Sequence, residues 1–178
     1  MPENISNNIK QSLREIPDFP KPGINFFDIT TVLQNGGLFS EIIEVLAARY
    51  RDKKVDSIIG LESRGFIFAA PLAAKLGVGF IPVRKPGKLP YKIESVDFDT
   101  EYSTDTLQIH QDAISAGDRV VIVDDLLATG GTASAAIELV SRLGGEVEEC
   151  AFIIELMFLS GRAKLGDAPI YSMLQCED

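Results

Sequence analysis

One short unit constrains the fold of this chain more than any other part of its sequence. An apolar run at residues 119–123 ends in the acidic pair Asp124 and Asp125, and small residues at 128–132 then lead into a helix predicted at 133–143. Near-continuous apolar runs are typical of parallel strands, because helices cover both faces of a parallel sheet. The unit therefore predicts an α/β fold with an open, mostly parallel sheet.

The rest of the chain repeats this alternation of strand and helix. Strands are predicted at residues 57–61, 79–84, 107–111, 147–156 and 170–174, and helices at 38–50 and 66–76. Near the N-terminus, apolar residues recur at helical spacing: Ile5, Ile9, Leu13 and Ile16. They predict a short amphipathic helix that ends before Pro17.

Composition and charge exclude several classes of protein. A length of 178 residues fits one domain, and we predict a single domain over residues 1–178. With 17 Lys and Arg against 26 Asp and Glu, the net charge is −9, which disfavours binding to nucleic acid or to an anionic membrane. The sequence has no apolar stretch as long as a membrane span, no signal-peptide pattern at its N-terminus and no CxxC pair. We therefore expect a cytoplasmic protein whose two cysteines are thiols.

The segment after the acidic pair has the composition of a phosphate-binding loop. It contains Ala128, Thr129, Gly130, Gly131 and Thr132. A loop that enters a helix N-terminus presents unpaired backbone N–H groups to an anion, and its glycines allow close approach. It is not an ATPase loop, because no lysine precedes the final threonine.

The acidic pair indicates what the rest of the phosphate-bearing ligand is. One ribose length away from a phosphate, Asp124 and Asp125 can accept hydrogen bonds from the 2′- and 3′-hydroxyls. The unit thus predicts binding of ribose 5-phosphate beyond the carboxyl end of a strand. The alternative is an ordinary strand–loop–helix connection whose acidic pair is only solvated.

Two further segments follow predicted strands and carry positive charge. Four cations lie within nine residues: Arg84, Lys85, Lys88 and Lys92. They indicate a site for pyrophosphate, although a basic run can also be only a solvated loop. The residues Ser63 and Arg64 follow the strand at 57–61, where Ser63 can also serve as a helix N-cap.

Five stretches together resemble the type I phosphoribosyltransferases, and among them the members that act on adenine. They are FPKPGINFFDIT at 19–30, ESRGF at 62–66, RKPGKLP at 84–90, TEYSTDTLQIH at 100–110 and VDDLLATGGT at 123–132. The resemblance covers about residues 16–156. It implies an open parallel sheet flanked by helices, a small N-terminal hood at about 1–35 and a flexible lid loop at about 85–106. The polar stretch 85–100 has two prolines and no helical period, as expected of such a lid.

The resemblance also implies roles for residues that spacing alone does not identify. It assigns pyrophosphate to Ser63, Arg64, Arg84, Lys85 and Lys88, with Arg64 at the base or the pyrophosphate site and Arg84 near the partner's site in a homodimer. It assigns adenine to Asn25, Phe26, Phe27 and Leu127. Phe26 is stacked on the base with Leu127 or Ala128 on its other face, and the backbone at Asn25 and Phe27 reads the edge of the base. It makes Glu101 the acid/base that handles the purine N7 proton.

The expected function is transfer of the 5-phosphoribosyl group from 5-phosphoribosyl 1-pyrophosphate to adenine, which gives AMP and pyrophosphate. The resemblance implies Mg²⁺ as the cofactor. The sequence shows no protein cage for the ion, so we expect it to be bound mainly through the substrate. The alternatives are transfer to another purine and a ligand-sensing regulator of the same fold. The second needs a basic DNA-binding domain, for which this acidic chain has no room.

Overall fold

The fold is built on a five-stranded sheet. The computed structural model describes residues 2–19, 21–23, 25–99 and 104–177. The helices are α1 (Pro2–Ser12), α2 (Thr30–Gln34), α3 (Gly36–Tyr50), α4 (Gly65–Leu76) and α5 (Gly131–Arg142). The strands are β1 (Arg14–Ile16), β2 (Phe26–Asp28), β3 (Ser57–Leu61), β4 (Gly79–Val83), β5 (Ile93–Asp99), β6 (Thr104–His110), β7 (Arg119–Leu127), β8 (Glu146–Leu156) and β9 (Ile170–Cys176). Two 3-10 turns, Met157–Leu159 and Gly161–Lys164, connect β8 to β9.

The sheet is parallel throughout and runs in the order β4-β3-β7-β8-β9. Helices α3 and α4 pack on one face, and α5 packs on the other, so apolar side chains of β3 and β7 are buried on both faces. This confirms the predicted fold class. Because β3 and β7 are parallel neighbours, the loops that follow them meet at one edge of the sheet, where ligands bind in open α/β folds.

The predicted N-terminal helix is too long at its C-terminal end. Helix α1 ends at Ser12, and Ile16 lies in β1, where it pairs with Phe26 of β2. Ile5 and Ile9 are buried in the core, as the helical spacing predicted. Ile16, the last residue of the pattern, lies in a strand instead of the helix, because pairing with a distant strand outweighs local helical spacing.

The predicted lid loop is wrong in its secondary structure. Strands β5 and β6 pair antiparallel from Ile93 and His110 to Asp99 and Thr104, so residues 93–99 and 104–106 of the predicted lid belong to a ribbon. The ribbon packs on α5, and Val96 and Leu107 are buried in that interface. We predicted a loop because the segment is polar. A ribbon with one buried face, however, needs apolar residues only at alternate positions.

Two findings bear on the classes excluded by composition. None of the described helices is both long and apolar enough to cross a bilayer. Cys150 and Cys176 are not joined in a disulfide.

Candidate active site

The acidic pair lies inside β7 rather than after it. The strand continues to Leu127, four residues beyond the predicted end, and Asp124 pairs with Phe152 of β8. The Asp125 side chain is only 6% exposed, and its Oδ2 is 2.7 Å from Nε of Arg64. The backbone N–H of Asp125 donates to Oδ1 of Asp124 at 2.9 Å. Because both carboxyl groups are held by the sheet and by these contacts, they have little freedom to move.

The two carboxyl groups differ in their electrostatics. Burial raises the pKa of Asp124 well above its ordinary value, and the neighbouring Asp125 raises it further. Burial also raises the pKa of Asp125, but the Arg64 guanidinium opposes that shift. Asp124 is therefore the member of the pair that takes up a proton more readily. A protonated carboxyl can donate a hydrogen bond while an ionised one accepts, which suits two adjacent hydroxyl groups.

The predicted phosphate loop surrounds a small cavity of about 70 Å³. Residues 126–133 line it together with Asp124 and Phe152, so all five predicted loop residues are brought together. Gly130 has a left-handed φ of 81°, and α5 begins at Gly131 without a side-chain cap. The first N–H groups of a helix have no partner within it, and they favour an anion at this position.

A second cavity, of about 220 Å³, adjoins the first. It is lined by Glu62, Ser63, Arg64, Lys85, Asp124, Asp125 and Thr132. Asp124 and Thr132 line both cavities. The structure therefore gathers the acidic pair, the phosphate loop and three of the predicted pyrophosphate residues. Arg84 and Lys88 are not among the residues that line this cavity, and Lys88 is exposed.

Three of the predicted cations already have carboxylate partners. Arg64 contacts Asp125, and Lys85 contacts Asp105. In a third pair, Nε and Nη2 of Arg84 each lie 3.2 Å from the carboxylate of Glu62. A pyrophosphate that binds here must therefore compete with internal carboxylates for the same cations.

Glu62 organises the basic segment, a role that the sequence did not reveal. Besides Arg84, it accepts a hydrogen bond from the backbone N–H of Lys85 at 2.8 Å. Burial raises the pKa of Glu62, but the bonds from Arg84 and Lys85 outweigh it and hold the pKa below its ordinary value. Glu62 is thus an anion at neutral pH that fixes the start of the segment after β4.

Gly65 is a second residue that sequence reasoning missed. A Cβ atom at this position would lie 2.7 Å from the carbonyl oxygen of Val123 and 2.9 Å from Oδ1 of Asp124. Only glycine allows the start of α4 to approach β7 so closely. A glycine directly after a predicted strand and loop was the one available signal.

Comparison with known proteins supplies the family. The phosphoribosyl transferase domain model matches residues 28–178. An adenine phosphoribosyltransferase from Roseiflexus sp. (strain RS-1) is 56% identical over 171 residues, which cover 96% of this chain and 99% of the relative.

The chain belongs to the adenine phosphoribosyltransferase family.

Solved structures of this family have the same fold. The adenine phosphoribosyltransferase of Thermoanaerobacter pseudethanolicus is 54% identical and superposes with a TM-score of 0.92, covering 96% of this chain and 99% of that one. The enzyme of Saccharomyces cerevisiae, complexed with D-2,5-dideoxy-2,5-imino-altritol 1,6-bisphosphate and adenine, is 44% identical with a TM-score of 0.91. The matched parts are 97% of this chain and 99% of the yeast chain.

The residues that the family resemblance assigned to adenine do not share one cavity. Asn25 and Phe27 line a cavity of about 430 Å³ beside the C-terminal end of β9. Phe27 is buried, whereas Phe26 is half-buried and meets the ring of Phe19 edge-on, with centroids 5.2 Å apart. The Asn25 side chain donates to Glu15 at 2.9 Å. Of the two phenylalanines, Phe26 has the more accessible ring.

Leu127 is less accessible than its assignment to adenine requires. Its side chain is 1% exposed and belongs to the core cluster on the α5 side of the sheet. Leu126 is half-buried and packs against the opposite core cluster, while both leucines line the phosphate-loop cavity. Sequence alone could not choose between two adjacent leucines, because the sheet decides which one is covered. Glu101 lies outside the described residues, so its assigned role stays a prediction.

Proposed function

We propose that this chain transfers the 5-phosphoribosyl group of 5-phosphoribosyl 1-pyrophosphate to adenine, with AMP and pyrophosphate as products. One observation supports this function above all. Asp124 and Thr132 are shared by two adjoining cavities, one formed by the phosphate loop and one containing Arg64 and Lys85. A ribose that carries a phosphate at one end and a pyrophosphate at the other matches that arrangement.

In this proposal the phosphate loop and the acidic pair hold the sugar. Backbone N–H groups from Gly130 to Thr132 bind the 5′-phosphate, and Asp124 and Asp125 bind the two ribose hydroxyls. Holding a reactant in one orientation can lower a barrier by several kcal/mol, at most about 7–11. The desolvation of the pair supports this role, since hydrogen bonds strengthen where water is excluded.

Transfer then occurs at C1′ of the bound sugar. The bond from C1′ to the pyrophosphate oxygen breaks and its electron pair leaves with pyrophosphate, while N9 of adenine forms the new bond. Lys85 and Arg64 stabilise the charge that develops on the leaving group. Glu101 is proposed to handle the purine proton at N7, which would contribute roughly 10²–10⁴-fold to the rate.

The acidic residues of the site fit Mg²⁺ that arrives with its substrate. Among the described residues, no group of three or more His, Cys, Asp or Glu side chains could hold a metal ion. Glu62 and Asp125 are engaged by arginines, and burial favours the protonated form of Asp124, so the ion would be held mainly by the phosphates of the substrate. Mg²⁺ is usually held by one or two carboxylates together with substrate phosphates. When bound, it would neutralise charge on the departing pyrophosphate.

An assay of base preference tests the proposal directly. The protein is incubated with the activated sugar, Mg²⁺ and one of adenine, hypoxanthine, guanine, xanthine, uracil or orotate. We expect adenine to give the highest kcat/KM. Preference for hypoxanthine or guanine would replace adenine by another purine. Absence of pyrophosphate release with every base would refute the enzymatic function, and specific binding to DNA would favour the regulator.

We further propose that the enzyme works as a homodimer in the cytoplasm. Ile67 of α4 and Phe80 of β4 are each 37% exposed, and Phe80 packs edge-on against Phe66, over which Arg84 lies at 5.8 Å. Exposed apolar side chains on two contacting elements, α4 and β4, support an interface beside Arg84. Sedimentation at micromolar concentration should give about twice the mass of one chain. Fractionation of cells should place the activity in the cytoplasm, whereas activity in a membrane or secreted fraction would contradict that location.

A further inference from the structure

The connection between β8 and β9 touches the phosphate loop. Gly161 lies in this connection, and a Cβ atom built on it would overlap the carbonyl oxygen of Ala128 and would lie 3.1 Å from the backbone nitrogen of Gly130. The converse also holds, since a Cβ atom built on Gly130 would overlap the carbonyl oxygen of Gly161. The two segments therefore meet backbone to backbone, with no room for a side chain on either.

A buried carboxylate fixes this connection to the end of the sheet. Glu155, near the end of β8, is 2% exposed. Its Oε1 accepts from Nε of Arg162, and its Oε2 accepts from Nη2 of Arg162 at 2.7 Å and from Oγ of Ser172 at 2.6 Å. Burial raises the pKa of Glu155, but these partners outweigh it and hold the pKa below its ordinary value. An ionised, fully engaged carboxylate holds the residue next to Gly161 in place.

A second contact supports the same part of the loop. Leu165 is 3% exposed, and its Cδ1 would lie 3.0 Å from a Cβ atom at Gly130. Gly130 itself has the left-handed conformation that precedes α5. The connection thus supports the loop at the residue where its path turns into the helix. An anion site made of backbone N–H groups depends on that path, because the groups cannot be re-aimed by side-chain rotation.

We propose that Gly161 is a positioning residue for the 5′-phosphate, acting through direct backbone contact with Ala128 and Gly130. The proposal rests on the proposed function, which makes residues 128–132 the phosphate loop. It predicts a selective effect. Displacing the loop at Ala128 and Gly130 should weaken binding of the 5′-phosphate end of the substrate and leave the pyrophosphate end unaffected, because neither residue lines the cavity of Arg64 and Lys85.

The test compares Gly161→Ala with Gly36→Ala, a control position where a Cβ atom meets nothing within 4 Å. Calorimetry measures the affinity of each variant for ribose 5-phosphate and for pyrophosphate with Mg²⁺. Loss of about one charge-assisted hydrogen bond corresponds to a ribose 5-phosphate affinity roughly tenfold lower or more. The affinity for pyrophosphate should stay within about twofold, a pattern that general destabilisation would not produce. Unchanged binding of ribose 5-phosphate, or equal weakening of both ligands, would overturn the proposal.

A second variant covers the case in which Gly161→Ala does not fold. Arg162→Lys keeps the positive charge beside Glu155 but loses the two-pronged contact. This variant should bind ribose 5-phosphate at least threefold more weakly than the unmodified chain, with its affinity for pyrophosphate unchanged. An affinity for ribose 5-phosphate equal to that of the unmodified chain would refute the inference. Measurements on the unmodified chain distinguish failure of this inference from failure of the proposed function. If it forms AMP while neither variant shifts the sugar affinity, only the inference fails. If it binds neither ligand, the proposed function fails and the inference fails with it.

Discussion

Replacing Gly65 with alanine would test how far the start of α4 fixes the acidic pair. The new Cβ atom would lie 2.7 Å from the Val123 carbonyl oxygen, whereas ordinary contacts begin at 3.4 Å. The helix start must therefore move by about 0.7 Å, the difference between these distances, or Asp124 must leave its position. Overpacking of this kind costs about 1–3 kcal/mol of the free energy of unfolding. A misplacement near 1 Å can lower turnover about 10²-fold.

Two measurements decide this prediction. Thermal unfolding should show a Tm lower by several degrees, since about 1 kcal/mol shifts a domain of this size by roughly 2–4 °C. The rate of AMP formation should give a kcat/KM at least tenfold below that of the unmodified chain. Gly36→Ala is the matched control and should retain both values. If Gly65→Ala melts and turns over like the control, the close approach of α4 to β7 has no role in holding Asp124.

Three further changes test the electrostatics. Asp124→Asn removes a carboxyl group whose pKa is raised by burial. The contribution of such a group to stability is complete only below its unfolded pKa of about 3.9 and is lost as the pH rises through the folded pKa. The variant should therefore have the higher Tm at pH 8, with the difference shrinking toward pH 4, and should bind ribose 5-phosphate at least about tenfold more weakly; equal Tm values at pH 8 would contradict the pKa argument. Asp105→Asn removes the carboxylate that pairs with the half-exposed Lys85, so calorimetry should show pyrophosphate bound about two- to fivefold more tightly, and weaker binding would mean that Asp105 orients the lysine. Glu149→Gln weakens the part-buried contact between Glu149 and the partly exposed Arg49. Urea unfolding should show a loss of about 1–3 kcal/mol with kcat retained, and a loss under about 0.5 kcal/mol would show that the contact contributes little.

The central part of the site was predictable because its signals are local. An apolar run, two adjacent acids and a run of small residues identified β7, the acidic pair and the loop before α5. The structure brings residues 128–132 and Asp124 around one cavity. Strand and helix types from β3 onward were also predictable wherever an element is long and covered on both faces, as in β8.

The misplaced elements depend on partners far away in sequence. The predicted helix at Ile16 became a strand because Phe26 pairs with it, and part of the predicted loop became a ribbon because α5 covers one face of it. Neither partner can be read from the segment itself. In each case the free energy of burial against a distant element exceeds the small local preference that the sequence pattern expresses.

The sequence by itself determined which chemical groups this protein offers: the acidic pair, the anion-binding loop and a basic segment. Only the tertiary structure decided their pairing and exposure. It placed Arg64 on Asp125, covered Leu127 rather than Leu126, and brought Gly161 against the loop. The physical reason is that composition and periodicity are properties of neighbouring residues, whereas burial and ion pairing depend on contacts between segments that meet only when the whole sheet has formed.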